Sequence, residues 1–564
     1  MATRPLHRAP PGLRWLEGYQ RRWLCTDVVA GLTVAAMLVP QTMAYARLAG
    51  LPPAAGFRAA LPALVVYALV GSSRHLQVGP EPGTALLAAA AVAPLAAGDP
   101  DRYAELMVLL AVLVGLVAGV GALARVGAIA NLLSRPVLVG YLCGVGVTLL
   151  ASQLGPFTGL AIEADQPIPR FVEAARELGD VHGPTVALGT ATLAVILVLR
   201  WRYPRLPGML VGVAGATALS AALGLDAHGV AVVGQIPAAL PHLQIPTPSA
   251  GDLGALVPAA LGIALVGYAD NMLTARGIAA RNGYRIDPTA ELAGLGAINL
   301  AAGLGGGFPV SSSASRSAMP ATLGSHTKLV GLVAAVGLAA AIVTLRPVIA
   351  EFPVTAIAAL IVAAGVAIID VRGLVEIGSL SRAELVVALA TAAGVIGFDV
   401  LVGIGVALVL SVAVAFARIA RPADAVLGGA DELEGWIPVE SGGRPLEGLL
   451  VYRFDAPLFF ANASRFRDRV LDALAANPGE ERWVVLDLEG VGSIDTTAVA
   501  ELATVVDDLA RRGVQTVGVA RAARPSLEML GRAGLVEPSG PLRVFQTIND
   551  AVHAFRSAVP GDRP

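Results

Sequence analysis

The sequence predicts an α-helical polytopic membrane domain of about fourteen segments followed by a soluble α/β domain. Three observations carry that reading. The 564 residues are 55% hydrophobic and only 15% charged, too apolar for a soluble globular chain. Apolar runs recur from about Val28 to about Ile419 and then stop. From about Gly448 the pattern changes to apolar strands alternating with amphipathic helices. The net charge of −2 gives no sign of a nucleic-acid surface. Two cysteines, Cys25 and Cys143, are too few for a disulfide framework and read as packing residues. Arg21-Arg22 resembles a twin-arginine signal, but no small-residue cleavage site follows, so no signal peptide is expected.

The membrane segments centre near Ala36, Val65, Ala89, Val114, Gly144, Ala194, Gly215, Ile263, Leu295, Ala318, Ala335, Ile361, Ala390 and Val409. Several are broken by Gly or Pro, so some are half-helices. An even count with a cytoplasmic N-terminus places Arg74, Arg125, Arg200-Arg202-Arg205, Arg276-Arg281-Arg285, Lys328 and Arg372-Arg382 inside. The loop from Leu223 to Leu253 has no Lys or Arg and falls outside, with the acidic stretch Glu163 to Asp180. That is the positive-inside asymmetry. Arg47, Arg58 and Arg346 are its exceptions. The 64 glycines mostly suit close helix packing in lipid.

Two interrupted segments stand out, one in each half. In "QVGPEPGTALL" (from Gln77) an extended Gly/Pro stretch leads into an alanine-rich helix starting near Pro82, with Glu81 at its mouth. In "GGGFPVSSSASRSAMPATLG" (from Gly305) Ser311 to Ser313 offer N-caps to a short helix carrying Ser315 and Arg316. Such paired interruptions point to a transporter binding site. Helix N-termini attract anions, and Arg316 adds a full positive charge. An arginine in an apolar segment is costly unless it faces a cavity or a partner; its alternatives here are snorkelling or a structural pair with Glu81. In "GIALVGYADNMLTARG" Asp270 and Thr274 are four apart, on one helix face. That pair suits a coupling cation, Na⁺ or H⁺; a helix-end cap is the structural alternative.

The stretches "DVVAGLTVAAMLVPQTMAYARLAGLPPAAG" (from Asp27), "GSSRHLQVGP" (from Gly71), "SRPVLVGY" (from Ser134) and "ELAGLGAINLAAGLGGGFPVSSSASRS" (from Glu291) resemble the SulP family of anion transporters. This is the sulfate permease group, homologous to the solute carrier 26 exchangers and to prestin. The resemblance implies two inverted repeats of seven segments, split into core and gate, with the anion held between the third and tenth half-helices. It places Gln41, Tyr45, Glu81, Ser315 and Arg316 at the substrate and Asp270 at the cation-coupling position; Gly79 and Ser313 are expected beside that substrate, and Thr274 and Glu81 beside the coupling cation. "ADNMLT" is similar to a sodium-dependent bicarbonate member, whereas other members carry glutamate at the Asp270 position and look proton-linked. At Glu81 this sequence departs from much of the family, whose residue there is often apolar or a hydroxyl.

From Gly448 onward "GLLVYRFDAP", "RWVVLDLEGV" and "VQTVGVA" read as strands. Helices are expected at "ASRFRDRVLDALAAN", "DTTAVAELATVVDDLARRG" and "RPSLEMLGRAGL". This resembles a STAS domain. The resemblance makes Thr496 or Thr497 a regulatory phosphorylation position; the plainer reading is two first-turn residues of a helix capped by Asp495. The expected division is a cytoplasmic N-terminal segment 1–26, a transporter domain 27–420, a turn-rich linker 421–447 and a STAS domain 448–564. No catalytic triad, zinc spacing or phosphate loop is visible, so no enzyme and no cofactor other than Na⁺ as a coupling ion is expected. The expected function is secondary active transport of a small oxyanion, sulfate first. A bicarbonate or chloride channel or exchanger and a dicarboxylate transporter are the alternatives. The expected setting is a homodimer in the plasma (inner) membrane, both termini cytoplasmic, with a cytoplasmic regulator at the STAS domain.

Overall fold

The structure, a computed structural model, describes residues 19–127, 134–164, 166–203, 206–235, 240–398, 400–430, 435–476, 482–536 and 539–558. Most of the expected N-terminal segment, residues 1–18, and Arg205 of the basic loop lie outside the described residues. The chain divides into two compact units, Met1–Ser411 and Val412–Pro564.

The first half of the first unit carries α1 (Leu24–Leu48), α2 (Pro53–Val70), β1 (Val78–Gly79), α3 (Pro82–Ala96), α4 (Pro100–Leu123), α5 (Arg135–Ser152), α6 (Leu154–Thr158), α7 (Pro167–Arg176), α8 (Gly183–Arg202) and α9 (Gly208–Leu223). The second half carries α10 (Ala250–Asn282), α11 (Pro288–Leu304), β2 (Ser311–Ser312), α12 (Ala314–Thr322), α13 (Leu329–Thr344), α14 (Arg346–Ala350), α15 (Val354–Ile368), α16 (Val371–Leu380), α17 (Arg382–Gly397) and the start of α18 (Val400–Ala420). All fourteen expected segment centres fall inside helices. By length and hydropathy alone, seven helical spans among the described residues suffice to cross a bilayer. Helices α3, α9 and α13 are apolar but shorter.

Helices α1, α2, α4, α10, α11 and α13 pack mainly on one another, with α3 against α4 and α10. Helices α5, α8, α15 and α17 form a second group, with α6, α7, α9 and α16 around it. The groups meet where α1 touches α15 and α9 and where α3 touches α5. Small residues make these packings possible: a Cβ at Gly140 of α5 would lie 2.1 Å from the Ala388 carbonyl oxygen of α17.

The second unit holds a six-stranded sheet in the order β4 (Trp436–Pro438), β3 (Asp424–Gly429), β5 (Leu449–Phe454), β6 (Trp483–Asp487), β7 (Thr516–Ala520), β8 (Leu542–Phe545). Strand β3 is antiparallel to both its neighbours, and β5 to β8 are parallel. Helices α19 (Ala463–Ala476), α20 (Thr496–Arg511) and α21 (Arg524–Arg532) cover one face. Helix α22 (Ile548–Ala558) covers the other, with Phe555 and Val552 against Trp483 and Val485. The parallel strands need those crossover helices.

One expectation is corrected here. Residues 421–447 do not form a turn-rich linker: they supply β3 and β4, and only 431–434 lie outside the described residues. Of the glycines that suggested turns, Gly428 serves close backbone approach. A Cβ at Gly428 would meet the Arg444 backbone at 2.6 Å. Asp424 anchors β3 by accepting the Tyr452 hydroxyl at 2.7 Å. Burial and that bond push the Tyr452 phenol well above its usual range.

Candidate functional site

The two interrupted segments meet. Strands β1 and β2 pair antiparallel, Val78 with Ser312 and Gly79 with Ser311, and each leads into a helix start. Gly79 has φ 144°, a conformation side chains rarely adopt. Side chains stitch the crossing. Ser317 Oγ accepts from the Gln77 N–H at 2.8 Å, and the Ser313 N–H donates to the Gln77 carbonyl at 3.1 Å. The Thr84 hydroxyl donates to Ser311 Oγ at 3.2 Å. Asn271 Oδ1 accepts from the Ser312 N–H at 2.7 Å. Asn299 holds both backbone groups of Val310, at 2.9 Å each. The N-termini of α3 and α12 are thereby fixed beside one another.

A cavity of about 620 Å³ lies against these starts, and Tyr45, Glu81, Asp270, Thr274, Ser313 and Ser315 line it. Asp270 and Thr274, four residues apart on α10, both line this space. Ser313 Oγ and Ser315 Oγ lie 3.1 Å apart. The remaining wall includes Met37, Leu142, Met209, Ala364 and Ile368.

Gln41, Gly79 and Arg316 are not among the cavity-lining residues. Arg316 is fully buried. Its Nη1 donates to Gln41 Oε1 at 3.0 Å, while Nε and Nη2 have no hydrogen-bond partner among the described residues. Nη2 is the nearest atom, 3.6 Å, to where a Gly79 Cβ would lie. The Gln41 amide nitrogen contacts Met209 Sδ at 2.9 Å, so a cavity-lining side chain of α9 rests on the Gln41–Arg316 pair. Glu81 makes no ion pair with Arg316. It is the N-cap of its own helix, accepting the Thr84 N–H at 2.8 Å and the Thr84 hydroxyl at 3.2 Å.

Sequence reasoning missed Asn271, Asn299, Gln77, Ser317 and Met209. Asn271 stood inside the quoted "ADNMLT" and carried a signal, since an amide in an apolar segment needs a partner. Met209, one methionine among apolar neighbours, carried none.

In the second unit, Thr496 and Thr497 are exposed on the first turn of α20. Asp495 caps that turn at the Ala498 N–H, 2.8 Å, and also accepts the Phe460 N–H at 2.9 Å.

Residues 24–391 match the sulfate permease family, and residues 444–551 match the STAS domain. The chain belongs to the sulfate permease family. As a SulP protein it is a multi-pass membrane transporter of anions with a C-terminal STAS domain, and not an enzyme. It is similar to a probable sulfate transporter of Mycobacterium tuberculosis (strain CDC 1551 / Oshkosh), 44% identical over 97% of this chain and 98% of that protein. Its fold is that of the murine Solute Carrier 26 family member A9 anion transporter, solved in the inward-facing state. The TM-score is 0.89 at 20% identity, covering 98% of this chain and 94% of that one. The transmembrane domain of the cyanobacterial bicarbonate transporter BicA aligns with a TM-score of 0.60 at 25% identity, over 70% of this chain and 98% of that one.

Proposed function

We propose that this SulP protein is a secondary active transporter of sulfate or a similarly compact oxyanion, bound where the starts of α3 and α12 meet. One observation carries the reading: a fully buried guanidinium, Arg316, with two of its three nitrogens unpartnered among the described residues, beside two helix N-termini. A buried unpaired charge costs several kcal/mol, and an oxyanion would recover that cost by charge-assisted hydrogen bonds. Tyr45, Ser313 and Ser315 supply hydroxyls from the wall, and Gln41 orients the guanidinium. Glu81 carries the coupling proton. Asp270 and Thr274, two oxygen donors facing the same cavity, hold Na⁺ or a second proton.

The 44% identity to a probable sulfate transporter supports sulfate. The likeness to BicA supports bicarbonate as the second reading. We place the protein in the plasma (inner) membrane as a homodimer with cytoplasmic termini, and Thr496 at a surface open to a cytoplasmic regulator. The test is uptake of labelled sulfate, bicarbonate and fumarate into proteoliposomes under imposed proton or sodium gradients, with Arg316→Ala beside the parent. Concentrative sulfate uptake that Arg316→Ala abolishes supports the reading. Unchanged sulfate affinity in Arg316→Ala removes it.

A further inference from the structure

A second cavity, about 810 Å³, shares α1, α3, α5 and α15 with the candidate site and uses them at other positions. It takes α1 at Arg47 and Leu48, where the site takes Met37 and Tyr45. It takes α3 from Leu86 to Pro94, where the site takes Pro82. On α5 it uses Thr148 to Ser152, with Gln153 just beyond, against Leu142, and on α15 Val354 to Ile361 against Ala364 to Ile368. On α3 and α15 the two spaces are separated by about one helical turn, roughly 5 Å. With a cytoplasmic N-terminus, α1 and α5 run outward and α15 inward, so this cavity is on the outer side of the site.

Among the described residues its charged lining is Arg47 and Arg170, with no Asp or Glu. Arg170 is held through Nε by the Ala164 carbonyl at 2.6 Å, which leaves its terminal nitrogens for other partners. Neither arginine forms an ion pair among the described residues. Of the described acids nearby, the Glu173 carboxylate accepts the N–H groups of Glu163 and Ala164 at 2.9 Å each. Glu163 lines an adjoining space that shares Arg170. Arg47 is also one of the arginines that break the positive-inside pattern, and this position gives it a use.

We propose that Arg47 and Arg170 form an outer capture site that concentrates the oxyanion one step before the α3–α12 site. This rests on the anion-transport reading above. Like charges in a concave, low-dielectric mouth focus the field and raise the local concentration of the opposite ion. Guanidinium groups also match the oxygens of a tetrahedral oxyanion.

The test uses full-length protein in proteoliposomes, with Cys25→Ser and Cys143→Ala as background and Thr148→Cys as probe; Ser152→Cys is a second probe should the first fold poorly. External membrane-impermeant thiol reagents of opposite charge, a sulfonate and a trimethylammonium methanethiosulfonate, are compared by rate. The sulfonate is expected to react faster by on the order of tenfold at low salt, with the advantage shrinking as salt rises. Combining Arg47→Gln with Arg170→Gln is expected to bring the ratio near one and to raise half-saturating external sulfate several-fold. A ratio that the double substitution leaves unchanged overturns the proposal, as does failure of either reagent to reach both probes from outside. Absence of sulfate uptake in the parent would instead sink the substrate reading and leave the reagent ratio as it is.

Discussion

Glu81 is where the residue chemistry concentrates. The start of α3 attracts anions, yet its own N-cap carboxylate already takes the Thr84 N–H and hydroxyl. A substrate oxyanion at that terminus competes with Glu81 directly. The charges sharpen the conflict: Arg316 contributes one positive charge, Glu81 and Asp270 two negative ones if both are ionised, and the site must still accept an anion. Protonating Glu81 removes the competing charge and turns the carboxyl into a donor. Uptake should therefore rise as external pH falls, and Glu81→Gln should flatten that response while still binding anion; a parent-like pH–uptake curve in Glu81→Gln would rule out the proton role. Gln keeps an oxygen that can accept the Thr84 N–H, and even full loss of the cap costs about 1 kcal/mol, so the variant should still fold. Asp270→Asn should retain binding but lose concentrative uptake under an imposed gradient. If accumulation persists, coupling lies elsewhere.

At the scale of elements, the β1–β2 crossing is what positions the site, and one asparagine anchors it. Asn299 on α11 closes both backbone groups of Val310, just before β2. Asn299→Ala orphans a buried N–H and a buried C=O, about 1–3 kcal/mol each. A lower melting temperature and weakened sulfate binding should appear together; weakened binding alone would place Asn299 at the ligand instead. The broken segments were legible in the sequence because Gly, Pro and serine N-caps carry local conformational signals. Their pairing was not, since a two-residue strand such as Val78–Gly79 has no period to read. Arg316 was legible as a costly charge, but its bond to Gln41 spans 275 residues and has no local trace. In the second unit the apolar strands β5 to β7 were plain. Strands β3 and β4 were hidden because "LGGADELEG" carries turn chemistry, although its Gly428 fits against the Arg444 backbone.

Across the transporter domain as a whole, the two helix groups touch through few elements, and the candidate site lies where they do. Tyr45, Glu81, Asp270 and Ser315 come from one group, and Leu142, Met209 and Ala364 come from the other. The outer cavity repeats that division, with Arg47 and Leu86 on one side and Thr148, Arg170 and Val354 on the other. A ligand moving between these spaces needs the groups to shift against each other, because helix layers packed at glycine contacts such as Gly140–Ala388 do not deform continuously. The Gln41–Met209 contact crosses the divide: α1 supplies the amide and α9 the sulfur, 2.9 Å away. Joining those positions should therefore hold the groups in this one arrangement. In a background with Cys25→Ser and Cys143→Ala, the pair Gln41→Cys and Met209→Cys, bridged by a short bifunctional thiol reagent that a reductant can cleave, should lose uptake and regain it after reduction. Because Gln41 holds Arg316 and Met209 lines the cavity, each single cysteine treated in the same way sets the reference, and the bridge should remove uptake beyond what either labelled single loses. Undiminished transport in the bridged double variant would mean that α1 and α9 travel together, and that the moving boundary lies between other helices.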